Sequence, residues 1–226
     1  MKYPLAFLLI GISVSGLAVY LGGWWHLLHW FTLSGFTLAA GYAGLGARVF
    51  AKRADGTIPL PVKVLHFPFL LYTRAVWHLI VLVSRENATD EVTPHLILGR
   101  RLRRHERLDG VDHTIDLTAE FEDPKVIRES PGYLAVPVLD GSVPRREDLD
   151  AILSKASGGV AYVHCAQGHG RTGTVAVVML IARGEAASVE AAMERIKKAR
   201  PGVRLNSAQR RFVEDYVAKR TGDSAR

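Results

Sequence analysis

Two uncharged stretches open the chain. No residue is charged from Tyr3 to Gly23, and none from Trp24 to Ala47. Each run reaches the roughly 20 residues that an α-helix needs to cross a hydrocarbon layer of about 30 Å. Gly22-Gly23 is the one obvious break, so the pattern predicts a tight helical hairpin of two transmembrane helices. Trp24, Trp25 and Trp30 cluster beside that break, where indole rings favour a membrane interface. His26 and His29 fit the same interfacial position, with a ligand role as the alternative.

The third apolar stretch is less regular. Pro59, Pro61 and Pro68 interrupt its start, and Phe69 to Val83 is apolar except for Thr73, Arg74 and His78. Arg74 and His78 are four residues apart and share a helical face. Burying Arg74 in lipid would cost about 2.5–3.5 kcal/mol on insertion scales. This segment is therefore expected to be a helix lying in the interface, with packing on the following domain as the alternative.

Beyond it the periodicity changes. Short stretches rich in β-branched and apolar residues at His95-Leu98, Val111-Leu117, Tyr133-Val138 and Gly159-His164 predict strands. Arg146 to Ala156 has a helical pattern, and Thr172 to Arg183 is so uniformly apolar that it predicts a buried helix. Ser188 can cap a helix carrying Val189, Ala192, Met193 and Ile196 on one face, stopped by Pro201-Gly202. Asn206 can cap a last helix with Phe212, Val213, Tyr216 and Val217 on one side. The expected fold class is α/β, with a mostly parallel central sheet flanked by helices and preceded by the transmembrane hairpin. The expected divisions are 1–55 for the two spans, 56–93 for a juxtamembrane segment and 94–226 for a catalytic domain.

Charge separates the same two parts. Met1 to Val83 holds six Lys/Arg and one acidic residue, against 23 and 21 in the remainder. The net charge of +7 thus does not describe a uniformly basic enzyme. The basic residues after the second apolar run (Arg48, Lys52, Arg53), with Lys2 ahead of the first, predict that both ends of the hairpin and all that follows are cytoplasmic. A cleaved signal peptide is the rival reading, disfavoured by the length of the run and the lack of a small-x-small cleavage site. One cysteine, Cys165, excludes an intramolecular disulfide and suits a reducing compartment.

Chemistry concentrates where the fourth strand meets the buried helix, in Val160-Ala-Tyr-Val-His-Cys-Ala-Gln-Gly-His-Gly-Arg-Thr-Gly173. Gly168 and Gly170 let the backbone curl, so that successive N–H groups can form a nest for a phosphate. The N-terminus of the following helix adds its positive end, and Arg171 a planar fork for two phosphate oxygens. The same field favours the thiolate of Cys165. This arrangement predicts attack of sulfur on phosphorus, with a cysteinyl-phosphate intermediate later hydrolysed by water.

The run His164-Cys165-Ala-Gln-Gly168-His-Gly170-Arg171-Thr172-Gly173 resembles the HCxxGxxR[ST] signature of the cysteine-dependent protein tyrosine phosphatase superfamily, in its small dual-specificity branch. Leu96-Ile-Leu-Gly99, Val111 to Glu120, Tyr133 to Asp140, and Arg200-Pro201 through Asn206 and Gln209 resemble other segments of that branch. The likeness covers roughly residues 94 to 220 and leaves out the membrane part. It implies Cys165 as nucleophile, Arg171 as the phosphate and transition-state ligand, and Thr172 as an aid to thiolate departure. It further implies Ala166, Gln167, Gly168, His169 and Gly170 as the substrate-binding loop, His164 as its support and Asp140 as general acid. Asp140 ends a strand ahead of Gly141-Ser142-Val143-Pro144, a loop able to close over a site. Asp116, Asp148 and Asp150 remain alternatives for the acid.

No metal or other cofactor is expected, since no HExxH or CxxC pattern occurs and the nine histidines do not pair at ligand spacing. Two basic clusters remain: Arg100, Arg101, Arg103, Arg104 and Arg107, and then Arg195, Lys197, Lys198, Arg200, Arg204, Arg210 and Arg211. They are read as solvated faces or as an attraction for an anionic membrane or phosphorylated substrate. Nucleic acid is not expected as a partner, because aromatics are not interleaved with the charge. The expected whole is an integral membrane phosphatase with a cytoplasmic catalytic domain, acting on a lipid phosphate or on a phosphotyrosine, phosphoserine or phosphothreonine protein. A catalytically silent phosphate-binding module and a sulfurtransferase are the rivals.

Overall fold

The computed structural model describes Lys2 to Asp223, with side chains from Tyr3 to Arg220. The Lys2 side chain invoked for orientation and the last three residues of the 94–226 division lie outside the described part. Two compact units divide the chain. The first takes residues up to Arg53, Thr57–Ser84 and Ala119–Phe121; the second takes Ala54–Gly56, Arg85–Thr118 and everything from Glu122 on.

In the first unit, α1 (Lys2–Leu21) is one continuous 20-residue helix. It is the one described helix long and apolar enough to cross a membrane. It ends at Gly22 and Gly23, whose φ angles of 62° and 56° suit glycine and turn the chain. The second apolar run departs from expectation. Gly23–Leu28 forms a 3₁₀ turn, α2 spans only the 12 residues His29–Ala40, and Gly41–Leu45 widens into a π turn broken at Gly44. At 1.5 Å per residue, α2 covers about 18 Å, too short to span alone. Gly41, Gly44 and Gly46 remove the side-chain packing that would keep the helix regular. α1 packs against α2, and Thr32 donates its hydroxyl to the carbonyl of Gly11 between them at 3.1 Å. α3 (Leu60–Leu65) and α4 (Phe67–Val83) follow the prolines. α4 buries Pro68, Trp77 and Val81, and leaves Leu71, Tyr72, Leu79, Leu82 and Val83 exposed.

The second unit is a five-stranded sheet in the order β1-β2-β5-β3-β4. Its strands are β1 (Thr89–Thr93), β2 (Leu96–Arg100), β3 (His113–Thr118), β4 (Tyr133–Val138) and β5 (Ala161–Cys165). All neighbours run parallel except β1 and β2. This is the expected α/β sheet with one addition. β1 lies ahead of residue 94, so the α/β unit begins at Arg85. The Thr-Asp-Glu-Val-Thr sequence of β1 carries no apolar alternation because it is an antiparallel edge strand, part-exposed from Thr89 to Val92 and buried only at Thr93.

Besides the short α5 (Lys125–Arg128), the helices of this unit are α6 (Arg146–Lys155), α7 (Gly170–Ala182), α8 (Val189–Ala199) and α9 (Ser207–Asp223). α7 is buried from Arg171 to Leu180 and packs on β2, β5, α6, α8 and α9. Both expected caps form. Ser188 accepts from the Ala191 N–H at 3.2 Å. Asn206 and Gln209 exchange side-chain bonds with each other's N–H groups at 2.9 and 3.1 Å, a reciprocal capping box.

Candidate active site

β5 is the central strand, and Cys165 is its last residue. Cys165 pairs with Arg100 of β2, and His164 with Asp116 of β3. The loop Ala166–His169 therefore leaves from the carboxyl edge at the middle of a parallel sheet, where ligands of open α/β folds bind. The loop turns at Gly168, whose φ is 75°. A Cβ there would stand 2.3 Å from the carbonyl oxygen of Gly99, so only glycine lets loop and β2 approach this closely. α7 then begins at Gly170, two residues before the expected start, and directs its N-terminus at the loop.

Cys165 is 4% exposed. Burial is the largest single influence on its thiol and opposes ionisation. The Arg171 charge, the Thr172 hydroxyl and the N–H groups of His169 and Thr172 together outweigh it, and the thiol titrates below its ordinary value. The Gly168 N–H also points at Sγ, at 3.2 Å. Thr172 is fully buried, and its Oγ1 makes no hydrogen bond of good geometry within the described residues.

Arg171 is buried at the base of the site. Its Nη1 donates to the carbonyl of Val138 at the end of β4, at 2.9 Å, which fixes the guanidinium plane. Its Nη2 lies 3.3 Å from Oδ1 of Asp140. Asp140 is 81% exposed by side chain, on a loop tied down by α9: Asn206 Nδ2 donates to Gly141 O at 2.8 Å, and Gln209 Nε2 to Ser142 O at 3.1 Å. The structure thus brings Cys165, Arg171, Thr172 and Asp140 together. The alternative acids are occupied elsewhere. Asp116 is fully buried and accepts from the Thr118 N–H and hydroxyl and from the Tyr133 hydroxyl. Asp148 pairs with Arg145, and Asp150 accepts from Tyr216.

His164 lies beneath the loop, its Nε2 2.9 Å from Oδ2 of Asp123 but off the N–H axis. Burial disfavours its charged form; the Asp123 carboxylate, with Asp116 behind it, outweighs burial and raises the imidazole pKa. Ligand atoms of Asp116, Asp123 and His164 lie within 4.8 Å of one another, close enough to hold a cation. The Asp116 carboxylate is already bonded by Thr118 and Tyr133, and Asp123 is paired in charge with Arg101, whose Nε stands 3.4 Å from Oδ1.

Sequence reasoning missed two features of this neighbourhood. Asp123 was invisible because it follows its strand by five residues, with no pattern to flag it. Arg200 belongs to a segment resembling the phosphatase branch but carried no role of its own beyond the basic cluster, yet it is 1% exposed and reaches the phosphate loop. Its position directly after α8, ahead of Pro201, was the available signal. Arg100 likewise belongs to no solvated face: it forms a two-pronged bond with Glu106 at 2.7 and 2.9 Å.

Residues 99–214 match the family described as PTP-SAK, a Swiss Army Knife protein with a DSP-PTPase phosphatase domain, and the chain belongs to that family. It is accordingly a phosphoric monoester hydrolase of dual-specificity, tyrosine-phosphatase-like type rather than a sulfurtransferase. The chain is 29% identical over 188 residues to phosphatidylglycerophosphate phosphatase PTPMT2 of Arabidopsis thaliana, covering 74% of this chain and 76% of that protein. That share is longer than the whole α/β unit, so the similarity reaches back into the helical segment before Arg85. Among solved structures, PTPMT1 in complex with PI(5)P is 18% identical with a TM-score of 0.51, covering 61% of this chain and 99% of that one. Human DUSP28 is 22% identical with a TM-score of 0.50, covering 58% and 93%. These two likenesses are of fold.

Proposed function

We propose that the protein hydrolyses a membrane lipid phosphomonoester through a cysteinyl-phosphate intermediate. The observation that carries the chemistry is the convergence of Cys165, Arg171 and Asp140 at the loop Ala166–His169. Arg171 and the loop N–H groups of Ala166 to Gly170 hold the phosphoryl oxygens. The Cys165 thiolate attacks phosphorus and the ester P–O bond breaks. Asp140, as the acid, gives its proton to the departing oxygen. A water then attacks phosphorus, losing its proton to the Asp140 carboxylate, and the S–P bond breaks. Thr172 donates its hydroxyl to the returning thiolate, and inorganic phosphate leaves. His164 supports the loop from beneath.

The substrate assignment rests on the first unit. α1 exposes Ile10, Val19 and Tyr20 at 59%, 65% and 86%. Such apolar surface fits a lipid environment far better than water. We read α1 as a membrane span, and α4, with Arg74 among apolar residues, as lying at headgroup depth. The basic residues after the apolar runs support a cytoplasmic side for the catalytic unit. A similarity to a phosphatidylglycerophosphate phosphatase that reaches into the helical segment supports a lipid over a protein substrate.

The test compares the full chain with one beginning at Arg85, on a soluble aryl phosphate and on a lipid phosphomonoester in vesicles. Tethering can raise overall avidity about 10²–10⁴-fold without any new contact. Equal rates on the soluble ester and a loss of about a hundredfold or more on vesicles for the short chain are expected. Rates on phosphotyrosine peptides with none on any lipid would replace the substrate assignment with a membrane phosphoprotein. A reporter fused behind Arg226 should read cytoplasm; a reading from the opposite side would overturn the orientation.

A further inference from the structure

Two carbonyls of the phosphate loop turn their backs on Cys165 and meet one buried side chain. Arg200 donates Nε to Gly168 O at 3.0 Å and Nη2 to Gln167 O at 2.9 Å. In a trans peptide the C=O and the following N–H point in opposite directions. Fixing the Gln167 carbonyl therefore aims the Gly168 N–H the other way, and fixing the Gly168 carbonyl aims the His169 N–H. Both of those N–H groups face the Cys165 sulfur, that of Gly168 at 3.2 Å.

The rest of the guanidinium is held by the segment that enters the α/β unit. Nη1 donates to Asn87 O at 3.1 Å and to Asp90 Oδ2 at 2.5 Å. Glu86 Oε2 lies 3.4 Å from Nη2 and also meets His169 Nε2 of the loop at 2.8 Å. A buried cation is tolerable only when paired and hydrogen-bonded, and these carboxylates meet that need. With its charge compensated, what Arg200 delivers to the loop is direction: a planar fork that a lysine cannot reproduce.

We propose that Arg200 is a positioning residue for the phosphatase reaction, holding two consecutive peptide planes so that their N–H groups face Cys165 Sγ and the phosphate oxygens. The inference rests on the reading of Cys165 as nucleophile. Arg200 touches neither sulfur nor substrate; it acts through the backbone of Gln167, Gly168 and His169.

The decisive variant is Arg200→Lys in the full chain, in detergent micelles. It keeps the charge and loses the fork. The inhibition constant for inorganic phosphate is expected to rise about tenfold, the cost of loosening two oriented donors. Turnover of an aryl phosphate should fall about a hundredfold, as for other small displacements of reacting groups. The pH at which iodoacetamide alkylates Cys165 at half its maximal rate should move up toward the ordinary thiol range. If Arg200→Lys does not fold, Asp90→Asn leaves Arg200 in place while removing its strongest partner, and the same three readouts should shift in the same direction by less. A folded variant with a lower unfolding temperature but wild-type alkylation profile and phosphate inhibition would overturn the proposal, leaving Arg200 a stability residue. Cys165→Ser is run beside it. If that variant keeps turnover, the nucleophile reading fails; if it is inactive while Arg200→Lys behaves as wild type, the positioning role alone fails.

Discussion

Helices α1 and α7 are built from the same kind of residue and occupy opposite surroundings. In α1, aliphatic side chains such as Leu9, Ile10 and Ile12 are more than half exposed, and Ala18 is fully covered. In α7, every residue from Arg171 to Leu180 is buried by the sheet and its helices. Composition alone says that both must avoid water. Length separates them: 20 residues make about 30 Å of helix, a bilayer's hydrocarbon thickness, whereas the 13 of α7 make about 20 Å, the depth of a domain core. On the proposed reading of α1 as a membrane span, the two units do different work. Changes in the α/β unit should affect every substrate, and changes in the helical unit only those carried in membranes.

The largest effect should come from Cys165→Ser, expected to lower turnover about ten-thousandfold or more on soluble and vesicle substrates alike while phosphate binding survives on Arg171 and the loop. A loss confined to vesicles would erase the division of labour. Asp140→Asn comes next. It should slow an alkyl or lipid phosphate about a hundredfold and a nitrophenyl ester far less, because only a poor leaving group needs the proton. An equal loss on both would remove Asp140 as the acid.

The helices themselves can be compared directly. Leu180→Ala in α7 should cost about 2–5 kcal/mol of unfolding free energy, through lost burial and the cavity left behind. Ile10→Ala in α1, at a side chain 59% exposed, should change unfolding in detergent by less than about 0.5 kcal/mol. Equal costs would mean that α1 is a packed core helix. The smallest effect is on pH. Cys165 alkylation in the folded chain should reach half its maximum at lower pH than in the urea-unfolded chain, since Arg171 and the loop donors favour the thiolate against burial. Coincident profiles would deny the loop its influence on the sulfur.

What could be read from the sequence follows the range of the interactions involved. The phosphate loop was legible because strand end, glycines, Arg171 and helix start are contiguous. α7 was legible because burial on all sides leaves an unbroken apolar run. Asp140 was legible as an acid just beyond an apolar strand and before a Gly-Ser-Val-Pro loop, although β4 stops two residues earlier at Val138 and its nearness to Arg171 needed the fold. β1 was hidden by its polar edge. The second apolar run promised a full helix because hydropathy does not register how Gly41, Gly44 and Gly46 loosen the backbone. Arg200 was hidden for a different reason: its partners Asn87 and Asp90 lie 113 and 110 residues away, so its sequence neighbours, Lys197 and Lys198, suggested a solvated face.

The capping box of α9 has a consequence for timing. Asn206 and Gln209 start the helix with one set of atoms and hold Gly141 and Ser142, the residues just after Asp140, with another. The loop that carries Asp140 is therefore tied to the first turn of α9, so that moving it strains that turn and fraying of the turn loosens the loop. These shared bonds predict that opening of the loop and melting of one helical turn are coupled, at the low free energy typical of helix ends rather than that of global unfolding. Amide exchange at the start of α9 would then keep time with the loop, and Asn206→Asp, which retains the cap but loses the amide bond to Gly141, would let the two clocks run apart.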